Sequence, residues 1–483
     1  MEDEHNCHHI STSYSQELHG CSIQTDFAFQ TEYFSPSHNT EDGMFSDQYM
    51  ERLLQIETDL MASDSVNQDT TIYLEALETE FRDEMDQEIQ ENVDVTLNEY
   101  THLKEVEVET VEESRVADLL LMAAEAVEAQ NWLLSSTIIS RLNSLLAREN
   151  GDTTFKRLAL FFTQGLHYKS IDAPEMVYEP VCRQTNPLST FQLFQEVSPH
   201  VKFGHFTANQ AILEATQGDT DVHVVDFDIM QGIQWPPLMI DLAMRNDAAL
   251  RLTAMIGDQK NVDMVQQTGR RLKEFADSIN LPFMFDQMVM VSEQDFERIE
   301  VGGHTVIANC MLHQLNMPDH TSFSLVKTFL GGMTKLSPKI VALAEEELFN
   351  FVKLPSMSFV EFFSEAIHHY TAISESLLSS NYSGHKMGLR WIEKEFLGMR
   401  ILDSVRKFPC EEKERVLWGE RFGSLKGFKP IPLSSCNISQ AKFLVGLFSG
   451  GYWVQNEKCR LALCWKSRPL TTATIWVPIS KSR

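Results

Sequence analysis

Residues 222–238, VHVVDFDIMQGIQWPPL, limit the possible fold more than any other stretch. Val222, His223, Val224, Val225 and Asp226 read as a strand. The β-branched neighbours Val224 and Val225 suit a strand buried on both faces of a parallel sheet. Gly232 breaks that pattern, and Trp235-Pro236-Pro237 opens a helix expected over 238–244. Proline fits a first helical turn because its missing N–H would have no partner there. Strand, acidic turn and helix together form the first βα unit of a doubly wound sheet, the place where such folds bind ligands.

The alternation continues downstream. Strands are predicted over 250–256, 283–290, 305–309 and 339–343, with helices over 262–279 and 321–330 between them. Residues 358–417 read as mostly helical, a helical insertion over about 356–417. Three short strands at 451–454, 460–464 and 472–477 predict an antiparallel C-terminal edge. The expected fold class is therefore α/β, a mostly parallel Rossmann-like sheet with an antiparallel edge. That layout is the one used by methyltransferases dependent on S-adenosylmethionine.

Charge divides the chain. Residues 1–114 hold 29 Asp/Glu against three basic residues, Arg52, Arg82 and Lys104, a net charge of −26 out of −29 for all 483 residues. The rest of the chain is nearly neutral. Residues 1–112 contain a single proline and are rich in Ser, Thr, Gln and Asn. Such a segment cannot offset its ordering entropy by burial, so 1–112 is expected to be a disordered acidic tail. Within it, Phe45, Tyr49, Leu53, Ile56 and Leu60 fall at helical spacing, as do Leu74, Leu77, Phe81, Met85 and Ile89. Apolar residues interleaved with acids mark either an activation segment that folds on a co-regulator or a solvated tail. His5, Cys7, His8 and His9 lie close together but have no structural frame for a metal.

Eight cysteines without a CxxC pair, an N-terminus lacking a basic and apolar leader, and no run of 18 apolar residues predict a soluble intracellular protein with free thiols. No membrane contact is expected.

From Val116 the periodicity becomes helical. Val116, Leu120, Ala123 and Val127 share one face, and Leu134, Ile138, Leu142 and Leu145 share another on a second helix. Pattern alone allows two uses for so much apolar surface, an intradomain hairpin or a contact with a partner. Residues 153–216 read as further helices broken at Pro174, Pro180, Pro187 and Pro199, making 113–185 a helical cap beside an α/β core over 186–483.

Candidate chemistry is sparse. In methyltransferases the first strand ends in an acid, followed by glycines at alternate positions that let backbone approach the cofactor. Here Asp226 is the acid, while the glycine positions read Asp228, Met230 and Gly232. Two side chains thus stand where a nucleoside needs space, and after the second strand only Asp258 could hold a ribose. Glu345, Glu346 and Glu347 read as a solvated helix start. His313, His368 and His369 fall on helices, where structural or surface roles are expected. The sequence contains no GxSxG, HExxH, GxxxxGK[ST] or GxGxxG. No catalytic residue, metal or cofactor is assigned.

Direct nucleic-acid binding needs a basic face. The two best clusters, Arg270, Arg271 and Lys273, and Lys413, Arg415, Arg421, Lys426 and Lys429, are modest and mixed with acids. DNA contact is therefore expected to be indirect.

Residues 206–215, FTANQAILEA, followed by VHVVDFDIMQGIQWPPL, resemble the signature of the plant GRAS family of transcriptional regulators. In that resemblance Val222, His223, Val224, Val225, Asp226, Gly232, Gln234, Trp235 and Pro236 are signature positions. Pro338-Lys339-Ile340-Val341 with Glu345 and Glu347, and residues 366–370, resemble the family's PFYRE region. Trp465, Arg468, Pro469, Leu470 and Trp476 match its terminal SAW region, although the name-giving triplet reads Thr474-Ile475-Trp476. The resemblance covers roughly 115–483. It implies a nuclear, non-catalytic co-regulator whose leucine-rich helices, through Leu120, Val127, Leu134, Ile138, Leu142 and Leu145, bind another GRAS protein as a homo- or heterodimer. The acidic tail would then recruit transcriptional machinery. No DELLA sequence is present. Residues 388–411 and 425–458 resemble the branch of the family that acts in nodulation signalling, which implies symbiosis-related transcription, rhizobial or mycorrhizal.

Overall fold

The computed structural model describes residues 98–147, 153–171, 187–227, 229–245, 247–312, 320–348, 357–379, 386–407, 427–448 and 450–479. The two apolar–acidic stretches and the His5–His9 cluster of the N-terminal segment lie outside them. The first described helix, α1, is Asn98–Glu128. Its first half carries no clean apolar period, which is why the sequence places its start only at Val116. Next come α2 (Trp132–Leu146), α3 (Thr154–Ile171), α4 (Pro187–Val197) and α5 (His200–Ala215). Asn131 caps α2, its side chain accepting from Leu134 N at 3.2 Å.

The sheet follows, built of β1 (Asp221–Phe227), β2 (Ala249–Ile256), β3 (Phe283–Val289), β4 (Thr305–Met311) and β5 (Ile340–Glu346). Between the strands lie α6 (Trp235–Ala243), α7 (Val262–Ser278) and α8 (His320–Leu336). A helical insertion comes next: α9 (Phe359–Leu378), α10 (Lys386–Trp391), a π-helical stretch Ile392–Gly398 and α11 (Met399–Lys407). The chain closes with β6 (Phe428–Ile431), α12 (Ser435–Gly446), β7 (Tyr452–Glu457), β8 (Arg460–Trp465) and β9 (Arg468–Pro478).

The strand order is β3-β2-β1-β4-β5-β9-β8-β7, with β6 paired to β9. Strands β1–β5 are parallel, and every pairing from β9 onward is antiparallel. This is the mostly parallel sheet with an antiparallel C-terminal edge that the sequence predicts. The order reverses between β1 and β4, which makes their C-terminal ends the switch point where open α/β sheets bind ligands.

Alternation along β1 sorts the core. Val222 and Val224 face α5, α6 and α7, whereas Val225 and Phe227 face α8. A third apolar cluster holds the cap together, with Leu120 and Leu142 packed with Phe162, Phe363, Tyr370 and Leu397. Phe162 meets Phe363 edge-on with ring centroids 5.4 Å apart. Ile475, the large residue of the altered triplet, lies buried on β9 between Ala342 and Ile431, so the sheet accommodates it without disruption. Among the described residues no helix is long and apolar enough to cross a membrane.

Candidate functional site

The crevice at the switch point is filled from within. Register sets Asp226 of β1 beside Asn309 of β4, on the face that looks toward α5 and α6. Asn309 Nδ2 donates to Asp226 Oδ1 at 2.7 Å, and Trp235 Nε1 donates to Asp226 Oδ2 at 3.1 Å. Gln234 bridges onward, exchanging hydrogen bonds with Asn309 at 3.0 and 3.1 Å and donating to Asn209 Oδ1 of α5 at 3.2 Å. Asn209 Nδ2 returns a bond to Gln234 O at 2.8 Å. All five side chains are buried. The acid that would orient a cofactor in a methyltransferase therefore spends both oxygens on its own protein.

The loop between β1 and α6 is equally occupied. Met230 adopts φ +48° and Gly232 φ +74°. A Cβ on Gly232 would come within 2.8 Å of Thr268 Cγ2 and 3.0 Å of Leu272 Cδ1, so glycine is required there on two counts. Thr268 Oγ1 pins the loop by donating to Met230 O at 2.9 Å. The side chains of Met230 and Ile233 point into the cap's apolar cluster. Met230 is thus committed to the cap's core; Asp228 lies outside the described residues. Asp258 is exposed and accepts from Lys260 N at 3.0 Å, capping a short 3₁₀ turn. These residues do not fit an S-adenosylmethionine site, and no step of methyl transfer follows from them. No described group of three or more His, Cys, Asp or Glu could hold a metal ion.

His223 lies on the opposite face of β1, its Nε2 2.8 Å from Thr253 Oγ1. Burial first, and then the charges of Arg251 and His304, pull its pKa down to about 4, so it is a neutral core residue. Val222, Val224, Val225 and Pro236 are buried packing residues.

Glu345, Glu346 and Glu347 correct the sequence reading. They are buried at the end of β5 rather than solvated at a helix start, because β9 runs alongside and cations reach Glu346 from the cap and Glu347 from β8. Glu346 Oε1 bonds His369 Nε2 of α9 at 2.8 Å, and its other oxygen pairs with Arg400 of α11. Glu347 pairs with Arg460 at 3.1 Å and accepts from the Thr472 hydroxyl. His369 is fully enclosed, and burial holds its pKa at about 3. His368 is exposed, and His313 lies outside the described residues.

The C-terminal signature residues act as braces. Arg468 Nη2 donates to Glu365 O at 3.0 Å and also pairs with the Glu365 carboxylate. Pro469 faces Cys464 beside a register shift between β8 and β9. Leu470 and Trp465 are buried in the cap cluster, and Trp476 packs against the α8 side of the sheet.

The leucine-rich positions separate into two groups. Leu120, Val127, Ile138 and Leu142 are buried inside the cap and Leu145 packs against it, so these five hold the fold and present no free face. Their hydrophobic stripes meet each other and α3, which pattern alone allowed. Leu134 is 46% exposed, beside Trp132 at 46% and Leu133 at 82%. The Ser135–Ser170 hydroxyl contact of 3.1 Å brings the start of α2 to the end of α3, where Ile171 is 54% exposed. Of the basic clusters, Arg271 turns inward, donating to Thr268 Oγ1 at 3.1 Å, and Lys273 pairs with Asp277 at 2.8 Å. Lys429 is exposed on β6, and the other members of the second cluster lie outside the described residues.

Residues 116–477 match the GRAS domain family. The chain belongs to that family. It is 36% identical over 400 residues to the Protein NODULATION SIGNALING PATHWAY 2 of Medicago truncatula, covering 75% of this chain and 76% of the relative. The Lotus japonicus protein of the same name is 36% identical over 397 residues, covering 76% and 77%. Among solved structures, the crystal structure of SCL7 in Oryza sativa superposes with a TM-score of 0.56 at 27% identity, covering 75% of this chain and 99% of that one. The GRAS signature thus coincides in space with the network that closes the switch point. Asn209 lies in the FTANQAILEA stretch that the sequence singles out, whereas Asn309, which completes the network from β4, carries no local signal.

Proposed function

We propose that this GRAS protein is a non-catalytic, nuclear co-regulator of transcription in nodulation or related symbiotic signalling. In this reading it associates with another GRAS protein, which contacts promoters, while the acidic residues of the N-terminal segment engage transcriptional machinery. The pathway is suggested by the 36% identity to the two nodulation-signalling relatives. The non-catalytic reading rests on one observation: Asp226 is already bonded through both oxygens to Asn309 and Trp235. Calorimetry of the full chain with S-adenosylmethionine tests it. No heat of binding is expected, and micromolar affinity would sink it.

For partner association, the exposed apolar end formed by Trp132, Leu133, Leu134 and Ile171 is the favoured surface, because the other leucine-rich positions are committed to the cap. Leu133→Glu with Leu134→Glu should abolish co-precipitation with the partner GRAS protein while leaving the circular dichroism spectrum unchanged. Normal binding by a folded double variant would show the surface to be elsewhere.

A further inference from the structure

The sheet ends in two edges that are guarded differently. At one, β7 carries exposed Asn456 and Glu457 and turns back through exposed Lys458. Charge on an edge strand is a common device against the addition of a further strand. At the other, β3 reads FMFDQMV, without proline, glycine or lysine. Its one charge, Asp286, is paired with Arg251 at 2.8 Å. Every β3 residue after Phe283 is at least partly exposed, whereas β1 is buried throughout after Asp221. Among the described residues no strand lies beyond β3.

The backbone groups left open along β3 follow from the ladder. Leu250 N donates to Pro282 O at 3.0 Å, and Met290 N donates to Ile256 O at 2.8 Å, so the even-numbered residues face β2. Backbone N–H and C=O groups alternate sides along a strand, which turns those of Phe285, Gln287 and Val289 outward as a template for pairing.

That edge is complementary to itself. Antiparallel pairing about a two-fold axis at Gln287 sets Phe285 opposite Val289 and Asp286 opposite Met288, each pair occurring twice. An aromatic ring opposite a β-branched residue is a favourable cross-strand pair, and this register keeps the two Asp286 carboxylates from facing each other. The connection from β3 to β4 holds only the 3₁₀ turn Glu293–Arg298 and so lays no α-helix over the face that bears Met284. Met284, 56% exposed there, falls diagonal to the half-buried Met288 of the second copy and gains cover. On the opposite face α7 lies close over the Phe285 ring at Gly269. That helix carries three acidic and three basic residues, so two copies of it meet without net repulsion. We propose that two copies of this chain associate through their β3 edges, antiparallel about Gln287, joining two nine-stranded sheets into one. Such a junction is isologous and closes on itself, and it leaves the exposed end of α2 free for a different partner.

The test uses the full-length chain carrying Leu133→Glu and Leu134→Glu, so that association through α2 does not contribute. Sedimentation equilibrium should give a monomer–dimer equilibrium with a Kd of about 50 μM or tighter. Gln287→Pro removes an outward N–H that the chain's own sheet does not use, and should weaken the dimer at least about tenfold. Gln287→Lys sets two ammonium groups opposite each other and should act likewise; it decides alone should the proline variant fail to fold. The amides of Phe285, Gln287 and Val289 should exchange more slowly as the protein is concentrated. A chain still monomeric at about 0.5 mM, a Kd unmoved by the folded Gln287 variant, or β3 exchange that ignores concentration overturns the proposal. None of these results bears on the α2 surface, which is read by the partner's co-precipitation.

Discussion

Asn309 is the residue on which the closed crevice depends. It donates to Asp226 and exchanges bonds with Gln234, so its loss leaves a buried carboxylate and a buried amide each short of a partner. Removing one side of a buried polar pair costs the desolvation of the group left behind. Asn309→Leu should therefore destabilise the protein by about 3 kcal/mol, read as a lowered urea midpoint with an unchanged m-value. Adding Asp226→Leu should recover part of that loss, because replacing both polar groups is far less costly than orphaning one. The buried histidines set a pH dependence. Burial, the largest cause in each, holds His200 and His369 at about 3 and His223 at about 4 in the folded chain, against the 6.5 of an exposed histidine. The unfolded chain then binds more protons between those values, so stability is full above about pH 6.5 and falls as pH drops toward 4. From pH 6.5 to 5 each contributes a loss of up to about 2 kcal/mol. Urea titrations across that window should show the slope, and His223→Gln should make it shallower.

At the scale of elements, the π-helical stretch before α11 is held to α3 by a pair in which Glu393 is buried and Arg157 half-buried. Arg157 Nε and Nη2 donate to Glu393 at 2.6 and 3.0 Å, and Ser374 Oγ adds a third bond at 3.0 Å. Gly398 allows the close approach, since a Cβ there would sit 2.5 Å from the Phe161 ring. Breaking such a pair from one side is costly, whereas replacing both members by apolar residues is often neutral. Glu393→Leu alone should cost about 2 kcal/mol, since Arg157 keeps some solvent, and Arg157→Met with Glu393→Leu less, as a double-mutant cycle on denaturation midpoints would read. The contrast also marks what the sequence could reveal. β1, β4 and β5 were legible because each carries neighbouring apolar β-branched residues, β2 and β3 because they fall at the strand–helix spacing between turns, and Gly232 and Trp235-Pro236 punctuate the first turn. β6 was not, being only four residues and containing Pro430. The π-helical stretch departs from the 3.6 period on which helix reading rests. Glu345–Glu347 were misread for a different reason. An acidic run looks solvated until Arg400 and Arg460, distant in sequence, arrive beside it.

For the whole molecule, those carboxylates decide how the cap sits on the sheet. One side chain, Glu346, receives His369 from α9 and Arg400 from α11, two separate cap helices converging on the end of β5. A second brace joins Arg468 of β9 to Glu365 of α9, and a third, Lys466 to Glu375 at 2.7 Å, is exposed and correspondingly weak. The apolar cluster shared by cap and β1–α6 loop, through Met230 and Ile233, supplies attraction without direction, since hydrophobic contact is non-directional. Register between cap and sheet therefore falls to the buried charges. Glu346→Ala takes from the buried Arg400 and His369 the carboxylate they share, a change of about 3 kcal/mol that the cap can relieve by lifting from β5. Hydrogen exchange followed peptide by peptide should then show faster exchange across α9 and α11, with β1, β2 and β4 as protected as in the unaltered chain. Equal loss of protection in the sheet and the cap would mean instead that the two open as one unit, and that Glu346 contributes to global stability rather than to their junction.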